Sequence, residues 1–169
     1  MKHVLLTITL LLSLTAHTST EAAAASQSAE TDEQKFVRLT AQLETNPLGD
    51  ADKSVRGWLM QWATESKDVS VTVCDILGPI PGEDVPHGSE ILTQYLFGNA
   101  AFQIAHPDRK KEQAAAQIAG VRSAMRAYSA LLAEDPQAHI AYFDTLLAQE
   151  RSGTLEASLV PLIAQKCEK

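Results

Sequence analysis

Cysteine, positive charge and long apolar runs are all scarce in this chain, and each scarcity excludes something. Beyond residue 25 no stretch approaches 18 uninterrupted apolar residues, so no transmembrane helix is expected there. Lys and Arg number 14 against 21 Asp and Glu, a net charge of −7. Such a surface repels nucleic acid and anionic headgroups, which argues against partners of either kind. The chain holds two cysteines and neither CxxC nor CxxCH, so a redox dithiol and covalently attached haem are not indicated. It also lacks a Gly-rich phosphate loop, HExxH, HxxxH, GxSxG and SxxK. The histidines after residue 25, His87, His106 and His139, fall in no metal-ligand spacing. No metal and no other cofactor is expected.

What is present begins with an export signal. Lys2 and His3 make a short basic start, and Val4 to Leu14 is apolar except for small Thr and Ser. Ala22 to Ala25 supplies the small residues that a signal peptidase needs. Residues 1–25 therefore read as a cleaved signal peptide, residues 26–30 as a disordered leader, and residues 31–169 as one domain. The expected location is the periplasm or the extracellular space. Cleavage removes one charge of each sign, Lys2 and Glu21, and leaves the balance unchanged. The first cysteine, Cys74, is far from the cleavage point, so no lipoprotein anchor is expected and the protein reads as soluble. In an oxidising compartment Cys74 and Cys167 should pair. That bridge would stabilise the fold by roughly 4 kcal/mol on the chain-entropy view.

Apolar residues recur at helical spacing over most of the domain. Thr31 with Gln34 matches a capping box before Phe36, Val37, Leu39 and Leu43, and Asn46-Pro47 stops that helix. Asp50 or Asp52 opens a second helix, on which Trp58 and Trp62 read as core. Val69, Val71 and Val73 alternate with polar residues but have no partner strand elsewhere. Residues 68–74 are therefore expected to be extended, or a short helix, docked through Cys74, with a long loop from Leu77 to Gly88. From Ser89 to Ala105 the third helix is apolar on nearly every side and lacks any basic residue, which marks a central, buried helix. Leu96 and Phe102 are expected to be fully buried there, and Gly98 with Ala100 and Ala101 to admit a neighbouring helix. Asp108 should cap a fourth helix reaching about Ala133, Asp135-Pro136 a fifth ending at Ser152-Gly153, and Thr154 a last one. The expected fold is an all-α, single-domain bundle of about six helices packed as helical hairpins, with one disulfide.

Two resemblances can be traced. His106-Pro107-Asp108 with Arg109, followed by Ala127-Tyr128, Leu131, Tyr142 and Asp144, resembles the signature of J-domain co-chaperones over about 40 residues. That resemblance implies an ATP-driven chaperone as partner. The chain departs from the family's pattern in the helix before the signature, which in J-domains is rich in Lys and Arg and here holds neither. Ala124, Tyr128, Leu131 and Pro136 resemble the second helix of a tetratricopeptide repeat, while Asp108, Lys111, Glu112 and Ala115 do not fit its first. A helical hairpin that ends in proline carries both patterns.

Asn99 and Gln103 stand out as amides on an apolar helix, since a buried amide needs partners. His87, Tyr95, Asn99 and His106 are the candidate polar site, the set around which a dispersed catalytic centre would have to form. Arg109, Lys110 and Lys111 are the only basic cluster and read as a solvated corner. The expected function is non-catalytic: a binding or adaptor protein that presents a groove or face to another envelope protein or a peptide.

Overall fold

The structure is a computed structural model that describes residues 29–82 and 84–167. Residues 1–25, read above as a signal peptide, and most of residues 26–30, read as a leader, lie outside the described residues. Six helices occur among them and no strand. The first, α1 (Asp32–Thr45), starts at the capping box expected from the sequence. Thr31 Oγ1 accepts the Gln34 N–H at 3.2 Å and Gln34 Oε1 accepts the Thr31 N–H at 3.0 Å. In α2 (Asp52–Glu65) the buried Asp52 carboxylate reaches back to the Gly49 N–H, which fixes the turn between the two helices. Trp62 packs 4.8 Å from Phe36, and Phe36 meets Phe97 edge-on at 6.1 Å. Both tryptophans pack against this core, and Lys35 lies over the outer face of Trp58.

Why α3 (Gly88–Ala105) is apolar on nearly every side is visible in the packing. It divides two hydrophobic clusters and belongs to both. Phe97 and Ala100 face α1 and α2, while Ile91 and Tyr95 face the other cluster, built on α4 (Gln113–Glu134), α5 (Ala141–Ser152) and α6 (Leu155–Cys167). The α3–α4 pair is the tightest. A Cβ on Gly98 would lie 2.2 Å from Ser123 Cβ, and one on Gly120 would lie 2.7 Å from the Tyr95 carbonyl oxygen. Both crossings need the missing side chain. Leu96 and Phe102 are only half-buried, contrary to expectation, and Phe97 occupies the sealed position instead. The apolar period runs around the whole helix, so it could not tell Phe97 from Phe102.

Two helix starts also differ from the sequence reading. Residues after Asp108 form successive turns, with the Arg109 and Glu112 N–H groups bonded to the His106 and Arg109 carbonyls, and α4 begins only at Gln113. Asp135 ends α4 instead of opening α5. Its carboxylate accepts the Gln137 N–H at 3.1 Å, but the Ile140 N–H is taken by Tyr128 Oη at 2.9 Å. Ala138 and Ile140 are pulled into the core, and α5 starts after them. A tertiary bond has overridden a local cap.

Between α2 and α3 the chain is extended around residues 69–74, as the valine alternation suggested. Val69 and Val71 pack on the α1–α2 cluster; Cys74, Ile76, Leu77 and Ile80 pack on the other. Cys74 is bonded to Cys167 of α6, with Cα atoms 5.2 Å apart.

Candidate functional site

The four residues of the candidate polar site do not come together. His87 and His106 flank α3 at opposite ends, about 28 Å apart at the usual rise per residue. His87 holds a left-handed backbone, φ 53°, with its ring 3.5 Å from the Asp135 carboxylate. His106 is exposed and stacks on Phe102 at 4.8 Å; with Pro107 and Asp108 it forms the outer corner between α3 and α4. Only Tyr95 and Asn99, one turn apart, share a face.

That face is a buried polar seam between α3, α4 and the extended segment. Tyr95 Oη donates to Gln117 Oε1, and Gln117 Nε2 donates to the Thr72 carbonyl at 2.9 Å. Burial pushes the Tyr95 phenol up to about 12, and the Cys74 backbone only partly opposes the rise. A phenol held neutral and fully engaged is not available as a base. One turn beyond Asn99, Gln103 treats Ser70 as a strand neighbour would. Its Oε1 accepts the Ser70 N–H and its Nε2 donates to the Ser70 carbonyl, both at 3.0 Å. The same Nε2 donates to Asn99 Oδ1 at 2.8 Å. Side-chain amides thus supply the partners that a lone extended segment lacks. Gln117 carried a recoverable signal, a polar residue on the apolar face of its helix, as Gln103 did on α3.

A second buried seam joins α1, α3 and α4. Gln94 Nε2 donates to the Thr40 carbonyl at 3.0 Å and to Ser123 Oγ at 2.8 Å; Ser123 Oγ donates to Glu44 Oε1 at 2.6 Å. Arg126 closes it with two bonds of 2.6 Å to the Glu44 carboxylate. Nothing in the local sequence pairs residues 44 and 126, and the reading by motif missed this set.

Over this seam opens a groove of about 710 Å³ between α1, α3, α4 and α6. Its walls are small and apolar, with Ala41, Gly98, Ala101, Ala105, Ala115 and Ala119 lining it. Half-buried Phe102 and exposed Val160 stand at its edge. Its charged residues are internally matched: Arg109 with Glu112, Arg122 with Glu150 and Glu156, Arg126 with Glu44. A smaller, polar pocket of about 180 Å³ lies beside Asn99 and the start of α4. Among the described residues no three His, Cys, Asp or Glu side chains cluster as metal ligands would, and no helix is long and apolar enough to cross a membrane. Compared with known proteins, the chain matches no family model, no curated protein and no solved structure.

Proposed function

We propose that the chain is an exported binding protein of the cell envelope that takes a short apolar peptide segment of another envelope protein into the α1–α3–α4–α6 groove. The single observation that carries this reading is the groove itself, about 710 Å³ of open space lined by alanines and Gly98 between mutually paired charged side chains. That volume lies within the usual range of ligand sites, and small side chains let a second backbone approach closely. The matched ion pairs around it offer no unbalanced charge, so the occupant is selected by apolar contact. The Cys74–Cys167 bridge and the apolar N-terminal segment support an oxidising destination.

A photo-crosslinking residue at exposed Ala105, in cells, tests the reading against the same residue at Lys53 on the outer side of α2. The Ala105 probe should capture a discrete envelope protein through an apolar segment that can be mapped. Ala41→Trp, which fills the groove from an exposed position, should abolish that adduct without changing the thermal melt. Equal capture from Ala105 and Lys53, or capture indifferent to Ala41→Trp, would overturn it.

A further inference from the structure

The small pocket beside Asn99 reverses the charge of the molecule around it. In a chain with net charge −7 no carboxylate of the described residues lines this pocket, whereas Lys110 and Lys111 do. Neither lysine meets a carboxylate among the described residues, while their neighbour Arg109 is engaged by Glu112 at 2.8 Å. The N-terminus of α4 opens at the same place. Gln113, its first residue, and Ala116 line the pocket; no side chain caps this helix, and no acidic residue stands in its first turn. Unspent N–H groups and the positive end of a helix dipole favour an anion.

Asn99 gives the pocket a directed donor. Its side chain is buried, 2% exposed, and its orientation is dictated by a chain of bonds. The Ser70 N–H and carbonyl fix which end of the Gln103 amide is oxygen and which is nitrogen. Gln103 Nε2 therefore donates to Asn99 Oδ1, which leaves Asn99 Nδ2 turned away from Gln103. Among the described residues Nδ2 has no acceptor. The side-chain atoms sealed from solvent without a partner are Thr40 Oγ1 and Arg56 Nε, so Asn99 Nδ2 is open, and the space beside it is this pocket.

We infer that this pocket is a binding site for a phosphate group, held by Asn99 Nδ2, Lys110, Lys111 and the α4 N-terminus. About 180 Å³ accommodates the group itself and little of what it is attached to, so free phosphate and an exposed phosphate on a larger ligand are both admitted. The site does not depend on the groove, which lies elsewhere.

The test is a titration of the isotope-labelled mature chain with inorganic phosphate at constant ionic strength, followed by amide shifts. The Asn99 side-chain NH₂ and the backbone amides of Gln113 and Ala114 should shift together and saturate. Lys110→Gln with Lys111→Gln should weaken binding at least about tenfold, the effect of losing charged hydrogen bonds. Asn99→Asp keeps the acceptor that Gln103 needs but replaces the donor by a buried charge, and should abolish binding at some cost in the melt, whereas the exposed Lys110→Gln, Lys111→Gln pair should weaken binding with the melt unchanged. Phosphoserine and acetate separate the sources: phosphoserine should compete with phosphate, and acetate should not. Four results would each overturn the assignment. These are non-saturating shifts shared with chloride, acetate binding as tightly as phosphate, Asn99→Asp binding normally, or binding that appears only after residues 168–169 are removed.

Discussion

Tyr128 shows how one side chain can decide where an element begins. It is fully buried, its hydroxyl donates to Asp144 Oδ1 at 2.7 Å, and it accepts the Ile140 N–H, so the start of α5 hangs on a phenol sixteen residues before Asp144. Burial pushes this phenol up to about 12; the Asp144 charge adds to the rise and the Ile140 N–H opposes it. Tyr95 is pushed up to about 12, again mainly by burial, and Tyr142 is raised by burial and by the Asp75 charge. A tyrosine carries its ordinary value near 10 when unfolded. The folded state therefore holds these protons more tightly, and the stability contributed by neutral, buried phenols is intact below about pH 10. It is lost as pH rises through about 10 to 12. Alkaline titration followed together by phenolate absorbance and circular dichroism should show phenolate appearing with loss of helix. Three phenols ionising near pH 10 in an intact fold would contradict the burial of Tyr95 and Tyr128.

Among the elements, the extended segment is the most exposed to test. Gln103 supplies both bonds to Ser70, and Ser70 itself is exposed, so water can replace part of what is lost. Gln103→Leu also strips the buried Asn99 Oδ1 of its donor, so it should cost about 1–3 kcal/mol, the range for leaving a buried polar group unpaired. Its local signature should be sharper: faster amide hydrogen exchange across residues 69–74 with α3 and α4 still protected. Uniformly faster exchange throughout the bundle would mean that the segment is not held separately. The same element shows what could be read from the sequence and what could not. Valine alternation announced extended chain, and Gln103 on an apolar helix announced a buried amide, but their meeting is tertiary. Capping signals behaved likewise. The box at Thr31 held because both of its bonds are local. Asp108 and Asp135 failed because turns after His106 and the Tyr128 hydroxyl claimed the backbone first. Of the polar site, Tyr95 and Asn99 were legible as polar groups on a buried helix. The histidines at its ends could be excluded only by seeing the helix at its full length.

At the scale of the molecule, α3 joins two clusters and the Cys74–Cys167 bridge fastens the extended segment to α6. Bridge partners 93 positions apart place the stabilisation at roughly 4 kcal/mol by the constraint on the unfolded chain. The Cys74→Ser, Cys167→Ser pair should lose about that much in urea unfolding while keeping its helix content. A loss below about 1 kcal/mol would show that native packing alone holds the segment in place.

Covalently, the bridge makes this chain a ring with a tail. Residues 74–167 close on themselves and carry α3 to α6, while α1 and α2 hang outside the closure. The core does not respect that division, because Phe36, Leu43 and Leu59 of the tail pack with Phe97 and Ala100 of the ring. As the chain emerges from its N-terminus, the tail arrives first, with Phe97 and Ala100 still behind it. The ring cannot close until Cys167 has followed. Two helices must therefore wait as an unpartnered pair until α3 has followed, and the last residues to arrive close the covalent ring around a core that α3 has already joined to the tail.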